Sequence, residues 1–275
     1  MGVKEDWAGM DRILCKRIRA PVIIFDNRGM GESDVPEGSY SISLFVIDMV
    51  AVVEAAVGKV PFDVFGISMG GCIAQMAALS GNPMVRRVVI GCSTPGGPDT
   101  QIGPGLLACF QMLSDPSVKT MTARELTTNI QLHNLPAHWI EDHPDMFEQF
   151  IVDVLRHNRP YPGTLGQMKA IAKFNVSQRI QNVKIPALIV HGDEDQMVPV
   201  ESGRLLHKLI PESHMVELKG AGHLFWITHL HDTIRPVAAF LNSSMPPSLE
   251  SSPHLKISAT ANSARSPANL MMAKL

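Results

Sequence analysis

The chain is poor in the features that mark several large classes of protein. Its 275 residues carry a formal net charge of −2, so there is no electrostatic case for nucleic acid or an anionic membrane as partner. No apolar run approaches the ~20 residues of a membrane span. The opening Met-Gly-Val-Lys-Glu-Asp-Trp is polar and does not read as a secretory leader. Asp6 stands where a myristoylation motif needs Ser or Thr. Only four cysteines occur (Cys15, Cys72, Cys92 and Cys109), without metal-ligand spacing. Cys15, Cys72 and Cys92 sit in apolar settings and read as reduced core thiols of an intracellular protein. His133, His138, His143 and His157 share no single helix face and have no flanking carboxylate pattern, so no metal is expected. There is no internal repeat.

What is present, 45% hydrophobic residues, is enough for one sizeable core with an inserted lid. Residues 4–18 space Trp7, Met10, Leu14 and Ile18 as one amphipathic helix. Continuous apolar runs at 21–25, 62–65, 85–91 and 187–192, with a short one at 215–218, read as strands covered on both faces. Ser43 to Val57 reads as a helix with its N-cap at Ser41 or Ser43. Leu230 to Leu241 reads as another, which Pro236 should kink or restart. Strands alternating with helices give an α/β fold with a mostly parallel sheet and helices on both faces. The ninety residues before the 187–192 strand show helical patterns at 122–132, 144–157 and 165–174. Inserted at the C-terminal edge of such a sheet, they would form a cap over an apolar pocket.

The organising stretch is Phe62-Asp63-Val64-Phe65-Gly66-Ile67-Ser68-Met69-Gly70-Gly71, followed by a helical pattern from Cys72 to Leu79. Strand, Gly-x-Ser-x-Gly and helix make a nucleophile elbow, in which a strained serine is lifted above the sheet. Gly66 and Gly70 would let strand and helix approach with no room for a Cβ. Ser68 then lies at a helix N-terminus, where free N–H groups favour developing negative charge. A serine hydroxyl needs a base, and the base a carboxylate to fix its tautomer. Elbow enzymes place these in the chain order Ser, acid, His. The loop after the 187–192 strand carries Asp193, Glu194 and Asp195, of which Asp195 leads. The loop after 215–218 carries Gly220-Ala221-Gly222-His223, which puts His223 forward as the base.

These segments resemble the α/β-hydrolase superfamily over roughly residues 4–241. Asp26–Ser33 matches Asp-x-Arg-Gly-x-Gly-x-Ser, Gly66–Gly71 matches Gly-x-Ser-x-Gly-Gly, Gly192–Pro199 matches Gly-x-x-Asp-x-x-Val-Pro, and Gly220–His223 matches Gly-Ala-Gly-His. The resemblance implies an α/β-hydrolase fold with a helical cap and a triad of Ser68, Asp195 and His223. The Met69 N–H would be one oxyanion donor, and no cofactor is implied. The branch is similar to serine esterases, enol-lactone hydrolases and cofactor-free perhydrolases, and one similar group comprises peroxisomal hydrolases of fungal secondary-metabolite and toxin pathways. The expected reaction is cleavage of an ester or thioester through an acyl-serine.

The family pattern has strands before the first helix, the last ending in a His-Gly loop with a second oxyanion donor. This sequence starts at the helix. The expectation is therefore an N-terminally truncated sheet, split between the 21–25 and 62–65 strands unless those two re-pair. The alternative reading is a truncated, non-catalytic protein of the same fold. The expected division is a core at 1–96 and 181–242, a cap at 97–180, and a disordered Ser/Pro/Ala-rich tail at 243–275. The tail ends in Ala273-Lys274-Leu275, which resembles the Ser-Lys-Leu peroxisomal address and would engage an import receptor.

Overall fold

The computed structural model describes residues 1–243 and 269–273 of the chain. Among the described residues six strands form one sheet in the order β1-β6-β2-β3-β4-β5, with every pairing between them parallel. They are β1 (Val22–Ile24), β2 (Phe62–Ile67), β3 (Val85–Gly91), β4 (Ala187–Gly192), β5 (Ser213–Leu218) and β6 (Asn269–Ala273).

Successive side chains of a strand point to opposite faces, and this sheet has a core on each. Phe62 and Val64 of β2, Val88 and Ile90 of β3 and Ile189 of β4 pack on one side, against α2 (Ile42–Val57), α3 (Met69–Leu79) and α9 (Val200–Leu209). Phe65, Ile67, Val89, Leu188 and Val190 pack on the other, against α1 (Met10–Ile18), the short α10 (Phe225–Thr228) and α11 (Leu230–Asn242). Burial on both faces explains why these strands are unbroken apolar runs rather than alternating ones.

Between β3 and β4 the chain forms α4 (Pro104–Ser114), α5 (Ala123–Gln131), α6 (Ala137–Asp142), α7 (Pro144–Arg156) and α8 (Tyr161–Ala172). An antiparallel bridge from Gly96 to Asn175 pins the two ends of this insertion together. Gly96 has φ +69°, and a Cβ there would meet the Phe174 carbonyl oxygen at 2.1 Å.

Several local expectations are corrected. Residues 4–18 are not one helix: a 3₁₀ turn at Lys4–Trp7 ends at Ala8 and Gly9, both at positive φ, before α1 begins. Pro236 does not restart α11, which runs through it as one helix. Cys15 is only half-buried, whereas Cys109 is buried.

The largest correction concerns the tail. Residues 269–273 are a strand rather than part of a disordered segment, and they lie between β1 and β2. Val22–Ile24 pair with Leu270–Met272, and Phe62–Gly66 pair with Asn269–Ala273. The sheet is neither split there nor closed by direct pairing of β1 with β2, because a distant segment supplies the intervening ladder. Lys274 and Leu275, the rest of the expected address, lie outside the described residues.

Candidate active site

All strands point the same way, so the loops after β2, β3, β4 and β5 open on one edge of the sheet. Ser68 stands immediately after β2 with φ 56° and ψ −112°, a conformation that side-chain-bearing residues rarely adopt. The turn is possible because nothing but hydrogen fills the space at Gly66: a Cβ there would lie 1.9 Å from the Gly70 carbonyl oxygen. The Ser68 N–H donates to the Gly91 carbonyl at 2.8 Å, and its carbonyl accepts the Cys72 N–H at 3.1 Å and the Ser93 hydroxyl at 3.0 Å. Gln75, fully buried, donates in turn to Ser93 Oγ and to the Thr94 carbonyl. The strained backbone is thus held on both sides, while the Ser68 side chain remains partly accessible. Met69 opens α3, where a backbone N–H has no intrahelical acceptor.

The other two residues of the expected triad come together. His223 Nδ1 donates to Asp195 Oδ2 at 2.7 Å, with both side chains almost wholly buried. With the proton on Nδ1, Nε2 is the acceptor face of the ring. Asp195 Oδ1 accepts the N–H groups of Met197 and Val198 at 2.8 and 2.9 Å. Burial alone would push the Asp195 carboxyl upward. His223 and His191 outweigh that effect and hold its pKa at about 2. The carboxylate is therefore ionised through the whole physiological range.

The neighbouring acids have other tasks. Asp193 accepts the Gly220 N–H at 2.7 Å, and the Glu194 N–H donates to the Ala221 carbonyl at 3.0 Å. The acid loop and the histidine loop are thereby tied together. The Glu194 carboxylate faces His138 of α6 at 3.5 Å. Gly222 lies under the Asn134 carbonyl, which also accepts the Leu224 N–H at 3.1 Å, so the cap clamps the His223 loop from above.

Sequence reasoning missed two contributors. His191, fully buried, aims Nε2 at the Val198 carbonyl at 2.8 Å and lies 3.5 Å from Asp195 Oδ2. Its signal was its place at the end of a buried strand, four residues before the acid. Cys92, at φ 31°, donates its thiol to the His223 carbonyl at 3.4 Å and had no sequence signal beyond its apolar neighbours. Atoms of Cys92, Asp195 and His223 approach within 4.8 Å of one another. Both Asp195 oxygens are already committed to N–H donors, an arrangement that orients an imidazole rather than one that ligates an ion.

Ser68 and His223 line one cavity of about 770 Å³. Its walls are mostly apolar, with Leu106, Phe110, Phe150, Val154, Met168 and Phe174 contributed by the cap and its return. Cys72 also lines it, but burial pushes that thiol up to about 12, so it stays neutral beside the serine.

Comparison with known proteins agrees with the fold. A family model described as alpha/beta hydrolase fold matches residues 2–230. The putative carbamate hydrolase RutD of Azorhizobium caulinodans is 27% identical over 213 residues, which span 75% of this chain and 76% of that protein. The 3-oxoadipate enol-lactonase 2 of Acinetobacter baylyi is 27% identical over 206 residues, 74% of this chain and 72% of its own. Among solved structures, a bromoperoxidase from Bacillus anthracis superposes with a TM-score of 0.72 over 88% of both chains at 24% identity, a likeness of fold.

Proposed function

From the premise that the chain belongs to the alpha/beta hydrolase fold family, we propose that it is a serine hydrolase that cleaves an ester or thioester through an acyl-Ser68 intermediate. The observation that carries this reading is the buried 2.7 Å bond between His223 and Asp195 beside the cavity that Ser68 lines. Ser68 Oγ attacks the substrate carbonyl and gives its proton to His223 Nε2. The developing oxyanion is met by the Met69 N–H at the start of α3, and Asp195 stabilises the imidazolium. Collapse expels the alcohol or thiol, which takes the proton from His223. Water then enters by the reverse route, losing a proton to His223 and releasing the acid and free Ser68.

An apolar cavity of this size suits an acyl chain more than a highly charged group. The relatives named as a carbamate hydrolase and an enol-lactonase support hydrolysis at a carbonyl. For location, the peroxisomal address at Ala273, Lys274 and Leu275 stands as a proposal, and with it peroxisomal acyl or secondary-metabolite chemistry.

A fluorophosphonate probe tests the reaction. The folded protein is expected to be labelled, Ser68→Ala to lose all labelling, and His223→Ala to lose at least a hundredfold in rate. Well-folded protein that resists the probe, or a Ser68→Ala variant that still takes it, would overturn the reading.

A further inference from the structure

The connection from β1 to β2 contains a loop and α2 but no other strand, yet the two strands are not neighbours. Adjacent strands lie ~4.8 Å apart, so β1 and β2 stand about two spacings apart with a slot for one strand between them. Among the described residues, β1 has no strand partner other than β6. On β2, the edge turned away from β3 is paired from Phe62 to Gly66 with β6. Emptying the slot would leave a row of backbone donors and acceptors unpaired in the middle of a sheet covered on both faces. The occupant comes from far away in sequence, since residues 244–268 separate it from the body of the chain at Ser243. It enters the core all the same: Met272 is fully buried in the cluster that contains Trp7, Phe65 and Trp226. The register ends with Ala273 opposite Gly66, two residues before Ser68.

We propose that the slot between β1 and β2 is a strand-acceptor site for an extended apolar peptide in parallel register. Asn269–Ala273 is its resident and exchangeable occupant, and filling the slot holds the Ser68 turn in its reactive shape. The last clause rests on the reading of Ser68 as a nucleophile; the acceptor site itself does not. A strand added to a sheet gains affinity from main-chain hydrogen bonds and specificity from side-chain pockets. The ladders to β1 and β2 supply the first, and the pocket around Met272 the second.

The test uses the full chain with a protease site inserted within residues 244–268. After cleavage of the folded protein, the C-terminal fragment is expected to co-elute with the body. A fluorescent synthetic peptide of residues 265–275, in excess, is expected to exchange into its place. The same peptide carrying Met271→Pro, which removes a ladder donor, or Met272→Asp is expected to exchange at least tenfold less well. Because these substitutions are in the added peptide, folding of the protein is not at risk. Washing out the occupant is expected to slow fluorophosphonate labelling at least tenfold, with the intact peptide restoring it. Immediate loss of the fragment, or equal exchange of all three peptides, would overturn the acceptor site. Unchanged labelling of the emptied protein would overturn the coupling to Ser68. Selective exchange in a protein that never labels would support the acceptor site while counting against the hydrolase reading.

Discussion

At the scale of single residues, the site depends on one proton being in the right place. Replacing Asp195 with Asn keeps the shape and hydrogen-bonding capacity toward Met197 and Val198, but presents an amide N–H₂ to His223 Nδ1. The ring must then accept at Nδ1 and carry its proton on Nε2, where it cannot take one from Ser68. A fall in turnover of about 10⁴ is expected with the fold retained, measured on any ester the wild type cleaves. The same residue links stability to pH. Its folded pKa of about 2 lies below the ordinary 3.8, so its stabilisation is fully present above about pH 4 and is lost as pH falls toward 2. Urea melts at pH 7, 4 and 2 are expected to show that loss in the wild type and less of it in Asp195→Asn. Parallel slopes for the two proteins would show that Asp195 does not carry the effect.

At the scale of elements, glycines decide which surfaces can touch. The loop after β1 docks on the cap where Gly29 faces Gly163 of α8: a Cβ on Gly163 would lie 1.9 Å from the Gly29 carbonyl oxygen. Gln167, one turn further along α8, donates to the Arg28 carbonyl at 2.9 Å, and Arg28 forks onto Asp48 of α2. Gly163→Val is expected to push α8 away from that loop and lower stability by about 1–3 kcal/mol. Because Leu165 and Met168 of the same helix line the cavity, KM is expected to rise more than kcat falls. A thermal melt and a Michaelis profile on one preparation check both outcomes, and an unchanged KM would separate the docking from substrate binding. The Asp26 loop follows the same logic. Gly31, at φ +56°, approaches the Asp26 carboxylate too closely for any Cβ, and that carboxylate holds the Lys4 and Glu32 N–H groups.

At the scale of the whole molecule, the C-terminal segment joins two questions. A fluorescent protein carrying residues 243–275 is expected to collect in peroxisomes and to disperse when Leu275 is deleted. In the full chain the Ala273 backbone is paired with β2, so comparing the fusion with the full chain shows whether strand β6 and the address compete. The division between what could be read and what could not follows from range. Ser68, its strand and its helix are neighbours in sequence, and the turn between them is dictated by local sterics at Gly66, so the elbow was legible from ten residues. The parallel strands were legible because burial on both faces leaves unbroken apolar runs. The order of Asp195 and His223 was legible because each follows a strand, and strands running one way open their loops on one edge. Asp195 was put ahead of Asp193 and Glu194 by its place in the Gly-x-x-Asp segment, while where each carboxylate points, Asp195 to His223 and Asp193 to the Gly220 N–H, is set by the folded loops. The placement of β6 belongs to the tertiary structure alone. A five-residue segment with four apolar residues has no local signal to distinguish it from tail, and only the unpaired backbone of two strands far away in sequence gives it a position.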